Sequence, residues 1–174
     1  TMALILSVPR RLAEGERLML SGTWGGWSPN AMLGHRIGGK TLGIIGFGRI
    51  GEAVAQRARA FGMEIVYNKR HRLPASIEEQ LGVTYEPDVD RLIAKSDIIT
   101  LHCPLNAETD KLISASRIAA MKPDAYLINT SRGELIEEGA LIEALQANRI
   151  AGAGLDVYTH EPAVDKRLLD LSNV

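Results

Sequence analysis

Three glycines in this chain are spaced as a phosphate-binding turn requires. Gly46, Gly48 and Gly51 form the pattern G-x-G-x-x-G between an apolar run and a stretch of helical periodicity. In that context the first glycine permits a tight turn, the second lets the backbone approach a pyrophosphate, and the third lets the helix pack closely on the strand. The free N–H groups at the start of the helix would face the phosphates. The pattern therefore predicts a dinucleotide site, and its alternative is an ordinary βα turn.

Arg132 is the charged residue best suited to hold a substrate. It follows the predicted strand 125–130, and ligands of parallel sheets bind beyond the carboxyl ends of the strands. A guanidinium grips a planar carboxylate through two N–H donors and favours an oxyanion that develops beside it. Arg132 is therefore a candidate to bind a carboxylate. From residue type alone, the alternative is a surface arginine after a strand.

The residues that follow the second predicted strand bear on the choice of coenzyme. NAD-binding folds place an acidic residue about 20 positions beyond the glycines, where it bonds the adenosine ribose. Here that place holds Asn68, Lys69, Arg70, His71 and Arg72, with no carboxylate. Asn68 can bond a ribose hydroxyl, and Arg70 or Arg72 could clasp a 2′-phosphate through paired N–H donors. We therefore predict a preference for NADP(H) over NAD(H), with a solvated basic loop as the alternative.

The elements that must position these residues alternate along the chain from Lys40 onward. Candidate strands are 42–46, 64–68, 97–102, 125–130 and 151–157, with a short one near Val83. Candidate helices are 49–61, 77–81, 89–95, 114–121 and 137–148. Apolar, β-branched strands without alternation are typical of strands that are buried on both faces. The alternation with helices predicts an α/β fold with a doubly wound parallel sheet, Rossmann-like, in three layers, α/β/α.

The first 37 residues differ in pattern from the rest. Residues 2–20 carry apolar side chains at helical spacing, and Pro9 should kink or restart this helix because it lacks a backbone donor. Residues 21–39 are rich in Gly, Pro, Ser and Trp and are predicted to form a loop. The sequence thus predicts an N-terminal helical arm over residues 1–37, ahead of a dinucleotide-binding domain over residues 38–174.

Composition argues against several classes of function. The formal net charge is −1 and no basic stripe is present, so a nucleic-acid surface is not indicated. The single cysteine, Cys103, excludes an internal disulfide and suits a reducing compartment, and the four histidines lack metal-ligand spacing. No apolar run reaches the roughly 18 residues of a membrane span, and residues 2–9 make a poor signal peptide. We expect a cytoplasmic protein without metal, and without a nucleic-acid or membrane partner.

Five further motifs resemble those of the D-isomer-specific 2-hydroxyacid dehydrogenases. Together with the glycine pattern they cover nearly the whole chain, in the order that the family requires. They are Leu101-His102-Cys103-Pro104-Leu105 with Glu108-Thr109, Met121-Lys122-Pro123, Asn129-Thr130-Ser131-Arg132-Gly133, Gly152-Ala153-Gly154-Leu155-Asp156-Val157-Tyr158, and Glu161-Pro162. Within the family, residues 22–29 resemble the arm loop of the glyoxylate/hydroxypyruvate reductase branch.

This resemblance implies hydride transfer between a nicotinamide and a short 2-oxo or 2-hydroxy acid. It gives Arg132 the role of holding the substrate carboxylate. It gives Glu161 the role of hydrogen-bonding a catalytic histidine, which favours the imidazolium that protonates the carbonyl oxygen. The implied coenzyme contacts are the N–H groups of Arg49 and Ile50 at the pyrophosphate, Pro104 and Thr109 beside the adenosine, and Thr130 and Asp156 beside the nicotinamide. Asp156 has an alternative role as a strand-end carboxylate that caps local N–H groups.

The resemblance also implies parts beyond this chain. The family's catalytic histidine falls after Val174, its substrate domain is not represented, and the domain is incomplete at the C-terminus. We therefore expect the chain alone to bind dinucleotide with little or no turnover. A homodimer through residues 2–37 is implied by the reductase branch, with the roles of Trp24 and Trp27 open. A phosphoglycerate dehydrogenase and a dinucleotide-sensing, corepressor-like binding module are the alternatives.

Overall fold

One six-stranded parallel sheet organises the chain, and the computed structural model describes all 174 residues. The strands are β1 (Thr41–Ile45), β2 (Glu64–Asn68), β3 (Val83–Tyr85), β4 (Ile98–Leu101), β5 (Tyr126–Asn129) and β6 (Gly152–Leu155). They are hydrogen-bonded in the order β3-β2-β1-β4-β5-β6, and every pairing is parallel. All residues of β4 and β5 are buried, as expected for strands covered on both faces.

Helices cover both faces of this sheet. They are α1 (Met2–Ser7), α2 (Leu12–Leu20), α3 (Arg49–Ala60), α4 (Ala75–Leu81), α5 (Val89–Lys95), α6 (Ala115–Ala119), α7 (Glu138–Gln146) and α8 (Lys166–Leu169), with a 3-10 turn at Gly133–Leu135. The consecutive β1 residues Ile44 and Ile45 belong to two different clusters of buried apolar side chains. Because successive side chains of a strand point to opposite faces, one cluster lies on each face. The predicted three-layer, doubly wound fold is confirmed.

The register of the sheet brings the candidate site residues to one edge. Ile45 at the end of β1 pairs with Asn68 of β2 and with Leu101 of β4. Asn129 at the end of β5 pairs with Leu101 on one side and with Leu155 of β6 on the other. The loops that leave these five strand ends therefore start side by side, with the glycine turn between the loops that follow β2 and β4.

The predicted strands are correct in number and place, and the strand predicted over 64–68 has the bounds of β2, but four others are too long at their carboxyl ends. His102, Thr130 and Val157 fall outside the strands. At β5 the cause is visible, because the Asn129 Oδ1 accepts the Ser131 N–H at 3.0 Å and starts a turn there. The 3-10 turn and the four-residue α8 were not predicted, since neither is long enough to show periodicity.

Pro9 divides the N-terminal helix into two, as predicted. Helix α1 ends at Ser7 and α2 begins at Leu12, and Arg11 between them has a φ of 56°. Ile5 of α1 is fully buried in the same core as β1, whereas α2 has no buried residue. No regular element occurs from residue 21 to 40, as predicted. The division into an arm and a domain at residue 37 stays a prediction, since α1 packs with the sheet.

Candidate functional site

The three glycines of the turn after β1 meet three different steric requirements. Gly46 has a φ of 91°, and a Cβ there would lie 2.3 Å from the Cys103 backbone N. A Cβ on Gly51 would lie 2.5 Å from the Gly46 carbonyl O, so this glycine lets α3 pack against the turn. A Cβ on Gly48 would meet nothing within 4 Å. The space in front of Gly48 is therefore open to a ligand, as the pattern predicts.

The first turn of α3 presents unpaired backbone donors to this space. Gly48 is the N-cap and supplies no side-chain cap. Glu52 is the first residue whose N–H finds an acceptor, the Gly48 carbonyl O at 2.9 Å. The N–H groups of Arg49, Ile50 and Gly51 have no acceptor in the protein, and their position at a helix start favours an anion. Gly48, Arg49 and Ile50 are exposed, so these residues fit the diphosphate of a dinucleotide.

Asn68 closes the end of β2 against two neighbours. Its carbonyl O accepts the Gly46 N–H at 3.0 Å, which ties β2 to the glycine turn. Its side-chain Nδ2 donates to the carbonyl oxygens of Glu86 at 2.9 Å and Pro87 at 3.0 Å. Only the Oδ1 is left for a ribose hydroxyl. Asn68 can therefore accept a hydrogen bond from the ribose but has no free N–H to donate.

The Arg72 side chain is bound to Glu78 and is not free to bind a phosphate. Its Nε and one terminal NH₂ donate to the two carboxylate oxygens of Glu78, at 2.9 and 2.7 Å. The Tyr67 hydroxyl donates to the same carboxylate at 2.7 Å. These hydrogen bonds, Arg72 first and then Tyr67, lower the pKa of Glu78 to about 2, while burial raises the pKa of Tyr67 to about 12. Of the two arginines considered for a 2′-phosphate, the structure therefore leaves Arg70.

Arg70 and Lys69 stand at the open side of the same loop. The Arg70 guanidinium contacts the Glu108 carboxylate at 3.1 Å, and both side chains are largely exposed. The Lys69 side chain has no ion-pair partner, while its backbone carbonyl accepts a hydrogen bond from Tyr85 at 3.2 Å. Both cations can therefore face an anion beside Asn68.

The loop after β4 is a turn closed by its own side chains. The Thr109 Oγ1 donates to the Pro104 carbonyl O at 2.7 Å and accepts the Asn106 N–H at 2.8 Å. The Asn106 Oδ1 in turn accepts the Glu108 N–H at 2.9 Å. Thr109 therefore holds the loop in shape, and Pro104 is exposed at its start. Their contact with a coenzyme stays a prediction.

Arg132 is displayed by a loop whose other polar groups bind the backbone. The buried Asn129 donates to the Arg132 carbonyl O at 2.8 Å, and the Ser131 Oγ donates to the Cys103 carbonyl O at 2.8 Å. The Arg132 side chain is exposed and makes only a hydrogen bond to the Ser131 carbonyl O. No role for Asn129 or Ser131 was predicted from the sequence, although an asparagine at a strand end is a known turn former.

The Glu161 loop packs directly on the Arg132 loop. A Cβ on Gly133 would lie 2.1 Å from the backbone C of Tyr158 and 2.4 Å from the Thr159 N, so only glycine allows this approach. The Glu161 Oε1 accepts the Tyr158 N–H at 2.9 Å, and its side chain is exposed. The structure therefore brings the two predicted catalytic residues to adjoining loops.

The remaining candidates also lie along this edge. The Thr130 Oγ1 is 2.6 Å from the Thr1 Oγ1. Asp156 is exposed, and its N–H continues the pairing of β6 with β5 by donating to the Asn129 carbonyl O. The His102 Nε2 lies 3.0 Å from the Thr100 Oγ1, and burial, with the nearby N-terminal charge, lowers the pKa of His102 to about 4. His102 is therefore a neutral, partly buried ring.

Three further observations concern the cysteine, metal binding and membrane spanning. Burial raises the pKa of the Cys103 thiol, which favours a packed, unreactive side chain over a nucleophile. No group of three or more His, Cys, Asp or Glu side chains is placed to hold a metal ion. No helix is long and apolar enough to pass through a bilayer.

Comparison with known protein families identifies the family of this chain. Residues 2–174 match the family described as D-isomer specific 2-hydroxyacid dehydrogenase, NAD binding domain. The chain belongs to this family. The family assignment confirms the predicted resemblance, and it makes the glycine turn and α3 part of an NAD-binding domain.

Individual relatives agree with the family. The chain is 48% identical to a glyoxylate reductase of Thermococcus litoralis, over 99% of this chain and 53% of the relative. An acyclic imino acid reductase solved with NADPH and D-Arg is 39% identical, with a TM-score of 0.86 over 99% of this chain and 53% of the other. A D-lactate dehydrogenase of Lactobacillus jensenii solved with NAD⁺ is 35% identical, with a TM-score of 0.85 over 99% and 54%.

These matches also show how much of its relatives' length the chain covers. It spans about half the length of the curated relatives that it matches. Similar structures hold either NADPH or NAD⁺, so the comparison supports an NAD(P) site and leaves the preference between the two open.

Proposed function

We propose that this domain serves an NAD(P)-dependent 2-hydroxyacid dehydrogenase that reduces a short 2-oxo acid, of the size of glyoxylate or hydroxypyruvate. The observation that carries the proposal is the start of α3, where the exposed residues Arg49 and Ile50 have N–H groups without acceptors beside the open space in front of Gly48. A bound nicotinamide coenzyme supplies the hydride. The name of the Thermococcus relative, glyoxylate reductase, supports the substrate class.

In this proposal Arg132 holds and polarises the substrate. Its guanidinium is exposed at the end of β5, and its only protein partner is a neighbouring carbonyl. Paired N–H donors would bind the substrate carboxylate and favour the negative charge that develops on the adjacent carbonyl oxygen. Asn129 and Ser131 hold the backbone of this loop, so Arg132 stays at the carboxyl end of β5.

In this proposal Glu161 contacts a histidine and not the substrate itself. Its Oε1 is held by the Tyr158 N–H, which leaves the second carboxylate oxygen to accept a hydrogen bond from an imidazole. That contact would stabilise the protonated ring and raise its pKa, so that the ring donates a proton to the carbonyl oxygen. Packing of Gly133 on Tyr158 keeps the loop of Glu161 beside the loop of Arg132.

The test measures the oxidation of NADPH or NADH by the whole protein that contains this chain, with glyoxylate or hydroxypyruvate as the substrate. Arg132→Met should lower kcat/KM by about a hundredfold or more, because two charge-assisted hydrogen bonds are lost at about 1.5 kcal/mol each. Arg149→Met, at the opposite edge of the sheet and also exposed, should leave kcat/KM unchanged. Equal effects of the two substitutions would refute the role of Arg132.

For the coenzyme, we propose a preference for NADP(H). The support is that the end of β2 presents Lys69 and Arg70, with no carboxylate at the position of Asn68. Two cations beside the adenosine ribose would stabilise a 2′-phosphate, whereas NAD(H) offers them only a hydroxyl.

We also propose that the protein is a homodimer through its N-terminal helices and loop. The support is a run of exposed apolar side chains on α2 and the following loop, among them Leu20 at 81% and Trp27 at 84% exposure. Several large apolar side chains exposed within one segment support an interaction site there.

A further inference from the structure

The ion pair between Arg70 and Glu108 lies where it can influence coenzyme choice. We propose that Glu108 competes with the 2′-phosphate of NADP(H) for the Arg70 guanidinium, and so sets the ratio of NADP(H) to NAD(H) affinity. This inference rests on the proposed nicotinamide coenzyme site at this edge and assigns to Glu108 a role in specificity.

The topology places this pair across the coenzyme edge. Arg70 belongs to the loop after β2 and Glu108 to the loop after β4. These strands are the two neighbours of β1, whose carboxyl end carries the glycine turn. The contact of 3.1 Å therefore joins the two loops that flank the turn. A dinucleotide whose diphosphate lies at α3 must pass its adenosine end between the same two loops.

The backbone at Glu108 is held by hydrogen bonds within its own loop. The Glu108 N–H donates to Asn106 Oδ1, and Thr109 closes the same turn onto Pro104. The loop thus keeps the Glu108 backbone at the wall of the adenosine side, while the exposed carboxylate is held by Arg70 alone.

The pair is also weak enough to exchange. The Arg70 and Glu108 side chains are 73% and 78% exposed, and exposed pairs contribute about 0–1 kcal/mol. A 2′-phosphate carries up to two charges and offers three oxygen acceptors, so it can replace one carboxylate on the guanidinium. An NAD(H) ribose offers no such replacement, and the pair can persist beside it.

Arg72 provides an internal contrast. Its partner Glu78 is only 10% exposed in its side chain and binds both N–H donors of Arg72 together with the Tyr67 hydroxyl. This second pair anchors the loop on α4 and stays closed. Of the two arginines in the loop, only Arg70 has a partner that a ligand can displace.

The experiment measures dissociation constants of NADPH and NADH for this chain by fluorescence titration, at low and high salt. Glu108→Gln should tighten NADPH binding by about fivefold at low salt, the size expected for releasing Arg70 from an exposed ion pair. NADH binding should change less than about twofold, and the gain for NADPH should shrink at high salt. Asp110→Asn is the matched control, since it removes a charge from the same turn without a contact to Arg70.

A second substitution identifies the shared cation. Arg70→Gln should weaken NADPH binding by about tenfold, and Glu108→Gln added to it should restore less than twofold. An unchanged or weaker NADPH affinity in Glu108→Gln, or an equal gain in Asp110→Asn, would overturn the role of Glu108. A wild-type chain that binds neither coenzyme would instead overturn the proposed function. If the wild type prefers NADH and Glu108→Gln still tightens NADPH binding, only the proposed NADP(H) preference is overturned.

Discussion

At the residue scale, Glu78 shows how one carboxylate determines what its neighbours are free to do. It receives two N–H donors from Arg72 and one O–H from Tyr67, and its side chain is nearly buried. Three donors around one carboxylate strongly favour the charged form. Arg72 is thereby committed to the fold, and the exposed residues of the same loop are left for a ligand.

This arrangement predicts a specific dependence of stability on pH. Hydrogen bonds from Arg72, and then from Tyr67, lower the pKa of Glu78 from 4.5 to about 2, so between these values the unfolded chain binds a proton that the folded chain does not. The contribution of Glu78 is therefore complete above about pH 4.5 and is lost as the pH falls toward 2.

Urea unfolding of wild type and Glu78→Gln from pH 7 to pH 2.5 measures that contribution, because other carboxylates are common to both proteins. The difference in the free energy of unfolding should be constant above pH 5 and should shrink below pH 4. A difference that stays constant over the whole range would contradict the account.

Residue roles could be predicted from the sequence where the requirement is local. The glycine turn needs only neighbouring positions, and all three glycines meet the predicted requirements. The choice between Arg70 and Arg72 could not be predicted, because it depends on Glu78 of α4 and Glu108 of a distant loop. The roles of Asn129 and Ser131 were missed because their partners are backbone carbonyls brought near only by folding.

At the scale of elements, alternation of apolar strands and helices was sufficient to predict the order and layers of the sheet. The ends were less predictable, because side chains such as Asn129 stop the pairing by binding the backbone. Contacts between loops were not predictable either. The close packing of Gly133 against Tyr158 and Thr159 joins two loops that lie far apart in sequence.

Gly133→Ala tests that packing. The new Cβ would meet backbone atoms at 2.1 and 2.4 Å, and backbone cannot yield as a flexible side chain can. We expect a loss of about 1–3 kcal/mol in the free energy of unfolding, measured by urea denaturation. Gly139→Ala in α7 is the matched control, since its Cβ would meet nothing within 4 Å and alanine favours a helix. Similar losses in both variants would refute the loop contact.

At the scale of the whole molecule, the exposed apolar face of the N-terminal segment predicts a dimer. Sedimentation equilibrium at micromolar concentration should give a mass near twice 18.9 kDa. Leu20→Arg combined with Trp27→Arg should shift the protein to monomer, because burying an unpaired charge in an interface is costly. Ile77→Arg, at a partly exposed apolar residue of α4, should leave the dimer intact. A monomeric wild type would contradict the proposed interface.

The most direct test is calorimetric titration of NADPH and NADH into wild type and Gly48→Val. Position 48 has an extended backbone and open space at its Cβ, so valine should leave the fold intact while filling the place of the diphosphate. We predict saturable binding of at least one coenzyme by wild type and a loss of about a hundredfold in Gly48→Val, as the helix N–H groups lose their phosphate. Gly25→Val, in the loop after α2 and with equally open surroundings, should bind as wild type does. A folded wild type that takes up neither coenzyme, or a Gly48→Val that binds normally, would contradict the account.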